Sequence, residues 1–230
     1  MQFPVVATAS ALFQAVPLMA AAAARRPPRG AMAWIVTWCA LNFLETAAMF
    51  ALALRNVHNL WVPYLFEPLE GATLLWAFSC WQEGEVARLT MRLAIVPFVG
   101  VLVIVSLFLE TTTFFSRAVG PLTSLVGLYA AASTLIAKSR VSTGDVLRQE
   151  WLWVGAGFAL YFAVHSMVGP LSALLVGDLP LFNLAYNLAA VLDVAAFLAI
   201  AWGFRCAPDA REAAALLHDS PRARRVGRPA

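Results

Sequence analysis

The sequence predicts an all-α fold, a polytopic membrane protein built as a bundle of seven transmembrane helices. Three observations carry that prediction. The 230 residues are 61% hydrophobic and 13% charged, with a mean hydropathy of +0.76, whereas a soluble domain averages about 45–50% apolar and about 25% charged residues. Apolar stretches of about 20 residues, enough to cross a bilayer as a helix, recur at 3–24, 31–54, 60–81, 93–109, 118–137, 151–176 and 181–204. The basic residues sort to one side once these stretches are threaded in alternation. A transmembrane barrel would show shorter, alternating segments, and no alternation is sustained here.

The first stretch lacks a basic residue ahead of it and is followed at once by Arg25, Arg26 and Arg29. A secretory signal has the reverse arrangement, so a retained first helix is expected. The second stretch carries Asn42 and Glu45 past its centre. The third carries Tyr64, Glu67, Pro68, Glu70 and Gly71. A proline without an N–H, followed by a glycine, predicts a kink or loosened turn there. The fourth, with Pro97, is the shortest. The fifth carries Pro121 and ends at Lys138, the sixth carries Tyr161 and His165, and the seventh carries Asn183, Tyr186, Asn187 and Asp193. Together they form a transmembrane domain over 1–205. The tail, 206–230, combines a short surface helix at 209–218 with a basic end suited to an anionic leaflet.

Seven crossings put the termini on opposite sides. Fourteen of the 16 Lys and Arg then share a side, leaving Arg55 and Arg117 opposite. The positive-inside rule places the N-terminus outside and the C-terminus in the cytoplasm, in a multi-pass protein of a plasma (bacterial inner) membrane. The basic residues thus serve as topological anchors, and no nucleic-acid partner is expected. Cys39, Cys80 and Cys206 show no metal-binding spacing and read as small apolar fillers, so no metal site is expected.

Ionisable groups in mid-membrane cost about 2.5–3.5 kcal/mol each on insertion scales and mark function by default. Alternating helix direction places Glu45, Glu70, His165 and Asp193 at similar depth, with Glu67 one turn outward of Glu70. Asn42 and Glu45 share a helix face, as do Tyr64, Glu67 and Glu70, and Tyr161 and His165, and Asn183, Tyr186 and Asp193. A lone Asn or Tyr is explained by interhelical hydrogen bonding, worth about 0.6 kcal/mol. Three carboxylates and an imidazole at one level ask for more. With no Lys or Arg inside the membrane the acids cannot all be comfortably ionised, and His165 is the one internal counter-ion, paired with Glu70 or Asp193. The expected ligand-binding set is Glu45, Glu67, Glu70, His165 and Asp193, supported by Asn42, Tyr64, Tyr161, Tyr186 and Asn187, around an acidic midplane cavity. No catalytic residue is assigned.

The third and seventh stretches align, Pro68-Leu69-Glu70-Gly71-Ala72 over Val191-Leu192-Asp193-Val194-Ala195. The stretches before them align more loosely, with Trp34, Asn42 and Glu45 against Trp151, Tyr161 and His165. An offset of four spans preserves orientation, the pattern of a parallel 3+1+3 repeat.

Several functions are excluded. A retinal Schiff base needs a mid-helix lysine, and Lys138 lies at a helix end. Bis-His haem needs a second intramembrane histidine. No nucleotide motif is present. The Asn59-Leu60-Trp61 and Pro68-Leu69-Glu70 segments resemble the third helix of small bacterial seven-helix membrane proteins. Pro68-Leu69-Glu70 also resembles half of the Pro-x-Glu-Glu motif of membrane lycopene cyclases, which implies acid chemistry on an isoprenoid. Here Gly71 replaces the second Glu and no second copy exists, so the acid pair is missing. The 3+1+3 arrangement resembles sugar carriers of the SWEET type and nicotinamide-riboside carriers. The leading expectation is therefore a protein that binds a cation, a proton or a small lipophilic ligand at its midplane, for transport or sensing. The alternatives are an accessory subunit with a membrane-protein partner, and an intramembrane lipid or isoprenoid enzyme using a buried acid.

Overall fold

A computed structural model describes residues 5–24, 27–110, 118–142, 145–175 and 179–206; the tail beyond 206, with the expected surface helix, lies outside them. The described chain is all helical: α1 (Val5–Phe13), α2 (Ala15–Ala22), α3 (Ala31–Leu54), α4 (Val62–Trp81), α5 (Glu85–Phe108), α6 (Val119–Val141), a short 3₁₀ turn (Val146–Arg148), α7 (Glu150–Leu175) and α8 (Leu179–Gly203). Four helices among the described residues, α3, α5, α6 and α8, are long and apolar enough to cross a membrane.

Two boundaries differ from the sequence reading, each for a local reason. The first apolar stretch is two helices, broken at Gln14. Pro17 has no N–H to offer the Phe13 carbonyl, and its ring crowds that carbonyl. The fourth helix starts eight residues before the apolar stretch does, at Glu85. Its polar first turns stay helical because Glu85 complements the helix N-terminus and Arg92 lies over the Trp76 ring, 4.5 Å from its centroid. The α3 terminus follows a known pattern. Asn56 adopts the left-handed conformation (φ 54°), Val57 N donates to Leu52 O and Asn56 N to Ala53 O, which is a Schellman motif with Asn in the position glycine usually takes. Asn59 then donates to the Met49 carbonyl at 2.9 Å and pins the turn.

The helices close into a ring in the order α3, α4, α6, α7, α8 and then α1 with α2, which returns to α3. Helix α5 lies outside that ring against α4. Small residues set this order. Helix α6 offers Gly127, Ala130 and Ala131, all buried, and the Phe162 ring of α7 sits where a Gly127 side chain would be. Gly157 of α7 and Gly203 of α8 make the α7–α8 contact close enough that backbone meets backbone. The centre is aromatic: Trp38, Phe78, Trp81, Phe158 and Phe162 are each at most 3% exposed.

Helix α4 runs unbroken through Pro68 and Gly71. Gly71 serves packing, because a Cβ there would stand 2.2 Å from the Phe98 ring of α5. Gly71→Ala is expected to force that ring aside at a cost of about 1–3 kcal/mol. Gly100 on the same pair of helices has nothing within 4 Å of its would-be Cβ, so Gly100→Ala is expected to gain up to about 1 kcal/mol of helix propensity. Thermal unfolding in detergent or lipid nanodiscs measures both; equal midpoints would contradict this α4–α5 packing.

Candidate functional site

The polar residues of α3 and α4 meet inside the ring. Glu70 and Asn42 are each 6% exposed. Glu45 of α3 faces Glu70 of α4, and the Asn42 side chain lies beside Glu70. Two carboxyl groups can hydrogen-bond directly only if a proton stands between them, because an ionised carboxylate has no donor. The Glu70 Oε1 atom remains buried with no hydrogen-bond partner, as does Asn42 Oδ1. In a native interior such orphaned acceptors are rare, and here two of them sit on neighbouring side chains.

From this couple the chain of groups runs both ways. Asn42 Nδ2 donates to Tyr161 Oη of α7 at 3.2 Å. The Tyr161 ring lies against His165 one turn along, centroids 4.2 Å apart, and edge-on to Trp38. His165 Nε2 stands 3.1 Å from Asp193 Oδ1 on α8, with the Asp193 side chain 13% exposed. On the other side, Glu67 is close enough to Glu45 for the two to repel when ionised. The Thr123 hydroxyl of α6 is 3.1 Å from Glu67 Oε2 and 2.9 Å from its own Val119 carbonyl. One hydroxyl hydrogen serves one acceptor at a time. A proton on Glu67 satisfies both contacts, Glu67 then donating to Thr123 while Thr123 donates to Val119.

All five ionisable residues singled out from the sequence therefore lie in one connected cluster, joined by Asn42 and Tyr161. Of the two couples considered for His165, the structure forms the one with Asp193. The remaining three residues stand outside this set of contacts, Tyr186 within electrostatic reach of Asp193. Tyr64 lines a groove of about 310 Å³ between α4 and α5 with Trp61, Leu65, Val103, Ser106 and Leu107. Tyr186 and Asn187 are on the exposed side of α8, Tyr186 stacked on Phe182. Tyr186 shares a helix face with Asp193, yet periodicity gives a side chain's direction and not what covers it. Thr123 was missed. Its signal is the Thr123-Ser124 pair just inside an apolar helix, both buried.

Among the described residues no group of three or more His, Cys, Asp or Glu side chains is placed to hold a metal ion. The three cysteines are free thiols, and Cys39 lies near the Glu70 carboxyl. No family model, curated protein or solved structure matches this chain.

Proposed function

We propose that this chain is a seven-span integral membrane protein, with α1 and α2 forming one broken span, whose interior binds protons and passes them along the bundle, in transport or in sensing. The observation that carries the reading is the pair of side-chain couples, Glu45 facing Glu70 between α3 and α4 and His165 against Asp193 between α7 and α8, linked by the Asn42–Tyr161 bond.

The parallel 3+1+3 reading gains support from the order of the ring. With α1–α2, α3 and α4 as one half and α6, α7 and α8 as the other, each half is a consecutive run of neighbours. The halves join at two seams, α4 to α6 and α8 to α1–α2, and the odd helix α5 stands outside. Exchanging the halves carries Glu45–Glu70 onto His165–Asp193. Each couple lies within one half, and the Asn42–Tyr161 and Thr123–Glu67 bonds join the two; the interface of two repeats is the usual place for a transported ion. The distribution of Lys and Arg favours an N-terminus outside and a C-terminus in the cytoplasm of a plasma membrane. Protons suit the donor set better than metal ions, because the cluster links its carboxyls pairwise to other side chains and leaves acceptor atoms to be satisfied by a hydrogen.

Two measurements test the reading. Infrared spectroscopy of the full chain in lipid is expected to show a protonated-carboxyl band near neutral pH that Glu70→Gln removes. Vesicles loaded with a pH-sensitive dye and carrying the protein are expected to acidify faster under an imposed pH gradient than protein-free vesicles. Flux without a band, or neither signal, overturns proton binding at this cluster; a band without flux selects sensing over transport.

A further inference from the structure

A second polar cluster lies at the far end of α4 and takes no part in the chain of groups described above. Lys138 of α6, the sole lysine in the sequence, is 5% exposed, and its Nζ stands 2.6 Å from Glu83 Oε1 just past the end of α4. Beside it, Gln82 Nε2 donates to Thr134 Oγ1 at 2.7 Å. A lysine at a helix end would ordinarily extend its ammonium into water. Burying it is costly unless it is well paired, so its burial here asks for a reason.

Aromatic rings lie between the two clusters. From Glu70 to Trp81 is about 17 Å along the helix. That interval is filled by the rings of Trp38, Phe78, Phe158 and Phe162, with Trp38–Phe158 centroids 4.7 Å apart and Phe78–Phe158 5.6 Å apart. Helices α4 and α6 run in the same direction and form one of the two seams between the proposed halves. They are fastened at one end by Thr123–Glu67 and at the other by the Gln82–Thr134 and Glu83–Lys138 pairs. Any path from the Arg205 face to Glu70 along this seam must part the second fastening and displace the aromatic layer.

We infer that the Glu83–Lys138 ion pair, together with the Gln82–Thr134 bond, is a latch that holds the bundle shut on the Arg205 face, leaving the carboxyl cluster to be loaded from the Glu67 side. This rests on the transfer function proposed above, and it adds the side of access. A largely buried ion pair is suited to such a role, with the Lys138 side chain 6% and the Glu83 side chain 20% exposed: it holds the seam shut when intact, and its separated charges favour hydration of the seam. The aromatic layer beneath it keeps water from the acids in the closed form.

The native Cys39 reports on this directly. It is 1% exposed, adjoins Trp38 in sequence and lies near Glu70. With Cys80 and Cys206 replaced by Ser, it is the sole thiol of the full chain. The probe is a membrane-impermeant sulfonated maleimide added to sealed vesicles that expose the Arg205 face. Slow labelling is expected for the parent. Lys138→Gln is expected to label about tenfold faster or more, since it removes the ammonium that ties α6 to Glu83. The exchange Glu83→Lys with Lys138→Glu is expected to return labelling towards the parent rate. Thr134→Val, which spares the charges, is expected to label faster than the parent and carries the test if Lys138→Gln does not accumulate as folded protein. A single variant that labels as slowly as the parent, or a charge exchange that labels as fast as the single variant, overturns the latch. Labelling needs no proton flux, so the two readings fail separately. A responsive latch in a protein whose flux ignores Glu70→Gln removes the transfer function and keeps the latch; an unresponsive latch with Glu70-dependent flux does the reverse.

Discussion

Glu70→Gln is expected to lower proton flux by at least about 100-fold, the lower end of what a positioned proton-transfer group contributes, while leaving the unfolding midpoint within experimental scatter of the wild type. The amide has the shape of the acid and still offers an oxygen to Asn42 and an N–H to Glu45, so the contacts around it are kept. What it lacks is a proton that can leave. The same argument applies to Asp193→Asn, where the amide oxygen can still accept from His165 across 3.1 Å but cannot draw a proton from the ring. The pairing of the two variants matters. If the clusters merely fastened helices, each would be worth about 0.6 kcal/mol and both amides would behave as wild type. Wild-type flux from both variants would therefore refute proton transfer through this chain of groups.

The second large effect is mechanical. Gly157→Val is expected to destabilise the protein by about 3 kcal/mol, the upper part of the range for overpacking a tight interface, and to lower flux in the surviving folded fraction. A Cβ on Gly157 would stand 2.7 Å from Ile200 Cγ1, 2.8 Å from the Ala196 carbonyl oxygen and 3.1 Å from the Ile200 nitrogen. Two of those atoms are backbone and cannot rotate away, so α7 and α8 must separate. The His165–Asp193 couple spans the same pair of helices, with Asp193 one turn from Ala196. A shift of 1 Å is enough to lose a hydrogen bond of that length. Unfolding by SDS titration in mixed micelles reads the stability, and the dye-loaded vesicles read the flux. A Gly157→Val protein as stable as wild type would show that α7 and α8 do not approach as closely as described here.

Which ionisable residues come together was legible in the sequence, because charge inside an apolar stretch is a loud signal. Glu45, Glu70, His165 and Asp193 could be placed at one depth by counting residues from the ends of alternating stretches, and that count does not depend on how the helices are arranged laterally. Helical spacing named the right faces for Asn42 and Tyr161. It failed for Tyr64, Tyr186 and Asn187, where the face was right or reasonable but the neighbour was unknown. It also passed over Thr123, whose hydroxyl looks unremarkable in a list and matters only because Glu67 lies opposite. Lys138 is the clearest case. From the sequence it is one more basic residue at a helix end, and in the fold it is buried against Glu83.

The sequence by itself determined that this chain is made of apolar helices, and where each begins and ends to within a few residues for most of them. Hydropathy and period are local properties, carried by residues a few positions apart, and they suffice for the extent of a helix and the faces it presents. The tertiary structure decided which helix stands beside which: α6 against α4, α5 outside the ring, and the aromatic layer between two polar clusters. Those contacts join residues far apart in the chain, and they are selected by where glycine, alanine and bulky rings fit one another across a seam, a complementarity that exists only once both surfaces are present.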